Sequence, residues 1–215
     1  MRRTFIVVAI IIGLLVVADR VAVVAADRVV AQRIQTDQGL PQRPDVSIGG
    51  FPFLTQAIGG RYDSVTLTVH DLHRTAVAVH SLTVHLTGVH VPLSSVFAGH
   101  VSSVPVDKAT ATVLLTYDDL NAYFGGRHLT VSNGGDGEVK VTASASLAGH
   151  TLAASGRGRL DVRGTDLVVV IGNGLDITIP LGGLPFRVAL VGGKATNQGV
   201  VVAATANGLV LHPHR

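Results

Sequence analysis

Residues Ser64–Val91, SVTLTVHDLHRTAVAVHSLTVHLTGVHV, decide the fold class. Val65, Leu67 and Val69 alternate with Thr66, Thr68 and His70, the period of two expected of a half-buried strand. A turn is predicted at Asp71–Arg74, and Val77 and Val79 then continue on odd positions. The apolar phase moves to even positions at Leu82, Val84 and Leu86, and returns to odd positions at Val89 and Val91. A shift of one residue exchanges the two faces of a strand. A β-bulge near His80-Ser81 and a break at Gly88 would absorb the two shifts, and long strands carrying such irregularities bend strongly.

Further along, the chain reads as a meander. Val139, Val141, Ala143, Ala145 and Leu147 alternate, followed by Leu160 and Val162, a continuous run at Leu167–Ile171, then Leu175, Ile177 and Ile179, then Phe186, Val188 and Leu190, and finally Val200–Ala203. Turns are predicted at Gly164-Thr165, Asn173-Gly174 and Asn207-Gly208, and short turns imply antiparallel pairing. Between the two β regions, Pro92–Val104 reads as a loop with a helical turn around Phe97, and Val113–Leu115 as a strand. Thr116 is placed to cap a helix running from Tyr117 to Phe124, stopped by Gly125-Gly126. No linker or shift in composition divides residues 40–215.

Upstream, Val46 and Ile48 read as a short strand broken at Gly49-Gly50, and Thr55–Ile58 as one helical turn beyond Pro52. Asp19 to about Leu40 reads as a helix with Val23, Ala26, Val30 and Ile34 on one side, stopped by Gly39, Pro41 and Pro44. Before it, Arg2 and Arg3 precede an uncharged apolar run from Thr4 to Ala18. Arginines ahead of a terminal apolar run are the pattern of an export signal. The apolar character resumes at Val21–Ala26, so cleavage after Ala18 or Ala26 and retention as an uncleaved signal anchor all fit. The expected division is a signal peptide or anchor over 1–26 and a single domain over 27–215. The positive-inside rule leaves the arginines in the cytoplasm and the remainder outside it.

Composition excludes several functions. The 215 residues are 47% hydrophobic, only 14% charged and 4% aromatic, with no Cys or Trp. A disordered chain needs far more charge, and a thiol nucleophile or disulfide framework needs cysteine. The formal charge is +3 and the pI about 9.7. Setting Arg2 and Arg3 aside leaves 15 of the 17 basic residues against 14 acidic ones, so the remainder is close to neutral. Without a basic block, nucleic-acid binding has no electrostatic support.

Little of the chain suggests catalysis. Six of the ten histidines (His70, His73, His80, His85, His90 and His100) crowd the first half, but there is no HExxH, and Glu138 is the one glutamate. His70 and His85 fall opposite the valine face of their strands, as solvated residues would. Asp118-Asp119 suits the first turn of a helix, where carboxylates meet the positive end of the dipole. No nucleophile elbow or Walker A loop is present. No metal site or cofactor is expected, and the chain does not read as an enzyme. The phenylalanines beyond the N-terminal segment (Phe51, Phe53, Phe97, Phe124 and Phe186) sit beside glycine or proline or at element ends. Ordinary core packing and the apolar mouth of an acyl-chain site both fit them.

The run Pro44-Asp45-Val46-Ser47-Ile48, followed by Gly50-Phe51-Pro52-Phe53-Leu54-Thr55-Gln56 and Gly60-Arg61-Tyr62, resembles the actinobacterial LmeA-like family of phospholipid-binding envelope proteins. The resemblance continues through Val89-His90-Val91-Pro92-Leu93 and Tyr117-Asp118-Asp119-Leu120, and more weakly through Leu184-Pro185-Phe186. The Gly-rich segment Asn133–Gly137 departs from the family pattern. The resemblance implies an exported, non-catalytic protein that binds phospholipid or a related acyl lipid and supports envelope lipid or lipoglycan maintenance. It also implies an α+β fold similar to the tubular lipid-binding proteins. An N-terminal helix would pack on a long, bent, mostly antiparallel β-sheet that encloses an apolar cavity. On that reading Phe51, Phe53, Leu54, Phe97, Phe124 and Phe186 are expected to line the lipid site. Arg61 and Tyr62 are expected at the phosphate, and Phe51→Asp with Phe53→Asp should release lipid from a folded domain. The expected partners are lipid, the membrane through the N-terminal segment, and envelope proteins. The competing expectation is a membrane-tethered structural or interaction domain without bound lipid.

Overall fold

The computed structural model describes residues 2–72, 77–92, 95, 103–147, 150–172, 174–181 and 189–211. The class is α+β, with an N-terminal helix and antiparallel strands, here divided between two sheets. Helix α1 runs without interruption over Arg2–Gln38, joining the apolar run to the helix predicted from Asp19 onward. At about 1.5 Å per residue it is roughly 55 Å long. Gly39 ends it in the left-handed conformation, with the Leu40 amide bonded back to the Gln35 carbonyl (2.9 Å) and the Gly39 amide to that of Thr36 (3.2 Å).

Strand β1 (Asp45–Gly49) and the short helix α2 (Phe53–Gly59) follow, then the long strands β2 (Arg61–Leu72), β3 (Val79–His90) and β4 (Val104–Thr116). Helix α3 (Tyr117–Phe124) and a 3₁₀ turn (Gly125–Arg127) lead to β5 (Leu129–Gly135), β6 (Glu138–Leu147), β7 (His150–Arg163), β8 (Asp166–Ile171) and β9 (Leu175–Pro180). The chain closes with β10 (Ala189–Ala195) and β11 (Gly199–Leu211). One sheet has the order β1-β2-β3-β4-β11-β10, the other β5-β6-β7-β8-β9. Strands β1 and β2 pair antiparallel, as do β10 and β11 and every neighbouring pair in the five-stranded sheet.

The described residues fall into two compact units. The first comprises Met1–Thr68, Val84–Ala109 and Asn207–Arg215; the second comprises Val69–Thr83 and Thr110–Ala206. The boundaries between them fall inside β2, β3, β4 and β11. In the first unit the core gathers Val23 of α1, Phe53 and Ala57 of α2, and Tyr62, Val89 and Val106 of the sheet. In the second it gathers Leu115, Leu120, Phe124, Val139, Leu167 and Ile179, all inaccessible to solvent.

The side-chain phases of β3 follow the expectation. Val77 and Val79 are buried, then Leu82 and Val84, then Val89, so the buried parity changes twice, at the positions read from the sequence. Gly88 marks the second change with φ of 62°. The predicted cap of α3 is also present: the Asp119 amide donates to Thr116 Oγ1 (3.1 Å) and the Thr116 amide to Asp119 Oδ2 (3.2 Å).

Strand β4 extends over Val104–Thr116, well beyond the Val113–Leu115 read from the sequence, and two further readings change. Strand β11 runs straight through Asn207-Gly208, where a turn was expected. Strand β7 begins at His150, ten residues before its first recognised apolar position, Leu160. The sequence hides that half because its pattern is set by close approach. A Cβ on Gly158 would stand 2.5 Å from Val169 Cγ1 on the neighbouring strand, so the position excludes the bulky residue that marks a strand. The loop and helical turn expected around Phe97 lie outside the described residues.

Gly88 supplies a test. A Cβ there would meet Asp107 Oδ2 at 2.0 Å, and a left-handed φ costs a non-glycine residue roughly 1–2 kcal/mol before any clash. Gly88→Val is therefore expected to destabilise the protein by at least that amount, read as a lower thermal midpoint of the full chain in mild detergent.

Candidate functional site

The motif GFPFLTQ forms the N-terminus of α2, and its geometry starts from a deficiency. A helix begins with unpaired amides that a Ser, Thr, Asp or Asn at the cap ordinarily satisfies. The cap of α2 is Pro52, which has no side-chain acceptor; the Phe51-Pro52 peptide is cis. The acceptor comes from α1: Asp19 Oδ1 takes the Leu54 amide at 2.8 Å across 35 residues of sequence. Asp19 is only 2% exposed, and the Arg20 guanidinium pairs with its other oxygen. Eight residues on, Asp27 Oδ1 accepts the Ile48 amide of edge strand β1 at 2.9 Å. With Val23 between them, the two carboxylates lie on one broad face of α1. That face is thus held to β1 and α2 by charge-assisted hydrogen bonds as well as by packing.

The residues expected to bind lipid separate into groups. Phe53 and Tyr62 are buried in the first unit's core with ring centroids 6.1 Å apart, and Leu54 packs partly buried against them. Burial raises the Tyr62 phenol above its ordinary pKa. Phe51 points the other way. It is 61% exposed, with the Arg20 guanidinium 5.0 Å from its ring centroid. Arg61 alternates outward from Tyr62 on β2 and donates to Asp107 Oδ2 (3.3 Å), whose other oxygen faces His90 Nε2 at 3.0 Å. Asp107 therefore already compensates the cation expected to meet a phosphate. Phe124 belongs to the second unit, fully buried and edge-on to Tyr123 at 5.0 Å. Phe97 and Phe186 lie outside the described residues.

The structure also limits what the double aspartate variant can show. Phe53→Asp would bury an unpaired carboxylate in the α2 core, so loss of lipid from it would report unfolding. Asp19 escaped the sequence reading; Arg20 and Asp27 were expected on the side of α1 away from Val23, but Asp27 stands on the Val23 side, where it accepts the Ile48 amide. Asp19 carried a visible signal, being the first carboxylate after the apolar run, but nothing local indicates its acceptor role.

Other polar features serve the fold. Among the described residues no group of three or more His, Asp or Glu could hold a metal ion. His85 Nδ1 meets Thr66 Oγ1 at 2.9 Å, and His80 lies 3.8 Å from Asp71. Glu138 pairs with Arg159. A polar cleft of about 460 Å³ in the second unit is bordered by His80, Tyr117, Asp118, Asn197 and Gln198. Tyr117 donates its hydroxyl to the Thr196 carbonyl at 2.8 Å, and burial raises its pKa. None of the described residues expected to bind lipid borders this cleft.

The motif and the part of α1 that caps it fall within one family model. The model of the LmeA-like phospholipid-binding family matches residues 17–205. The chain belongs to the LmeA-like family. The match begins two residues before Asp19, so it includes the α1 carboxylates as well as GFPFLTQ. No curated protein and no solved structure matches the chain.

The Asp19 contact carries a measurable cost of removal. Hydrogen bonds to charged groups contribute about 1.5–3 kcal/mol. Asp19→Ala is expected to destabilise the protein by about that much and to accelerate amide exchange across Phe53–Gly59. Asp19→Asn keeps an acceptor and should retain part of the protection.

Proposed function

We propose that this LmeA-like protein is an exported, membrane-tethered phospholipid-binding protein that catalyses no reaction and supports maintenance of envelope lipids or lipoglycans. The match over residues 17–205 to a phospholipid-binding family carries the reading. The first half of α1 supports the tether: it is long and apolar enough to cross a membrane, and only 11% of its most apolar 18 residues is buried. A core helix of a soluble protein would be mostly buried. Asp19 and Val23 belong both to α1 and to the packed first unit, so cleavage after Ala26 would remove the α2 cap and a core residue. That counts against cleavage after Ala26, and we read the segment as an uncleaved anchor with Arg2 and Arg3 in the cytoplasm. The acids engaged in caps and ion pairs (Asp19, Asp27, Asp107, Asp119 and Glu138) favour a non-catalytic role.

Each buried lipid CH₂ contributes about 0.8 kcal/mol, so acyl chains bind without a dense polar code. Phe53, Tyr62 and Phe124, however, are buried within protein cores, and this favours the second reading, a tethered interaction domain without lipid. Native mass spectrometry of the detergent-purified chain, followed by lipid extraction, separates the two. Phospholipid in fixed proportion to protein is the expected result. Protein free of lipid, from cells and after incubation with phospholipid vesicles, supports the interaction domain instead.

A further inference from the structure

Beyond Ala18 the two sides of α1 differ. Asp19 and Val23 face the protein and are buried. On the opposite side Leu14, Val17, Val21 and Val24 recur at spacings of three, four and three, a single helical stripe, and all four are exposed. The apolar exterior of the anchor therefore continues past the Asp19-Arg20 pair along one side of the helix. Asp19 is buried under the Leu54 amide, and Arg20 borders the stripe, about 40° around the helix from Val24 and 60° from Val17, with its guanidinium drawn to Asp19 and the Phe51 ring. From Thr4 to Val24 the stripe spans about 30 Å, the thickness of a bilayer's hydrocarbon core, whereas Thr4 to Ala18 covers only about 21 Å. Phe51 stands at the upper end of this stripe, fixed there by its contact with Arg20 and by the Asp19 cap on α2.

We propose that the first unit rests on the bilayer that holds its anchor, with Val21, Val24 and Phe51 immersed at the lipid interface and the Asp19-paired Arg20 beside them. The inference rests on the uncleaved-anchor reading of α1. An exposed phenylalanine gains free energy at such an interface, and a half-exposed arginine can lay its apolar stem there while its head stays paired. Continuity with the anchor identifies the occupant as the membrane.

The absence of tryptophan from the chain makes the test direct. Val17→Trp, Phe51→Trp and Val29→Trp each introduce a single indole. Each full-length variant is reconstituted into phosphatidylcholine–phosphatidylglycerol vesicles with and without brominated acyl chains. Val29 is exposed and lies about 14 Å along the helix from Arg20. The expected order of bromine quenching is position 17, then 51, then 29, with blue-shifted emission at 51 and water-like emission at 29. Quenching at 17 with none at 51 overturns the docked arrangement and leaves the anchor intact. No quenching at 17 overturns the anchor and the docking together. Blue-shifted but unquenched emission at 51 would mean that Phe51 is covered by protein, such as a second copy of the chain, and also overturns the proposal. Circular dichroism of each variant confirms that the readout comes from folded protein.

Discussion

The hydrogen bond from the Leu54 amide to the Asp19 carboxylate organises the first unit. Pro52 leaves α2 without a side-chain cap of its own, and a seven-residue helix is too short to be stable by propensity alone. Asp19 supplies the missing acceptor, and Arg20 offsets the cost of burying its charge. Once that contact forms, Val23 meets Phe53, Ala57 and Tyr62, and Phe51 is left on the outside against Arg20. Core packing inside and apolar exposure outside thus follow from one buried carboxylate.

One helix therefore serves both parts of the molecule. It is long and apolar enough to cross a membrane, and around Val23 it also closes the core of the first unit. The same economy appears in the charges. A chain with so few of them uses its carboxylates at places where backbone or cations need a partner: the α2 cap, the β1 edge, the Arg61–Asp107–His90 group and the α3 capping box.

Local pattern explains where the sequence reading succeeded. The parity changes of β3 were readable because alternation is a property of neighbouring residues, and the α3 cap because Thr116 and Asp119 are three residues apart. The stretch of β7 before Leu160 was harder to read because Gly156 and Gly158 sit where Ile171 and Val169 of the adjoining strand leave no room for a bulky residue. The candidate site was legible only as a segment. GFPFLTQ marked the right family, but nothing local distinguishes Phe53, buried beside Tyr62, from Phe51, two residues away and exposed.

By itself the sequence determined the α+β class, the antiparallel meander, the apolar N-terminal run and the resemblance to phospholipid-binding proteins, since each is written in spacing, composition or a contiguous motif. Only the tertiary structure decided that the strands form two sheets, that α1 continues unbroken into the first unit, that Asp107 engages Arg61, and that Asp19 caps α2. Those contacts join residues 46 and 35 positions apart. Such partners are selected by the folded chain's geometry and by the cost of leaving a buried polar group unpaired, and neither has a local signature.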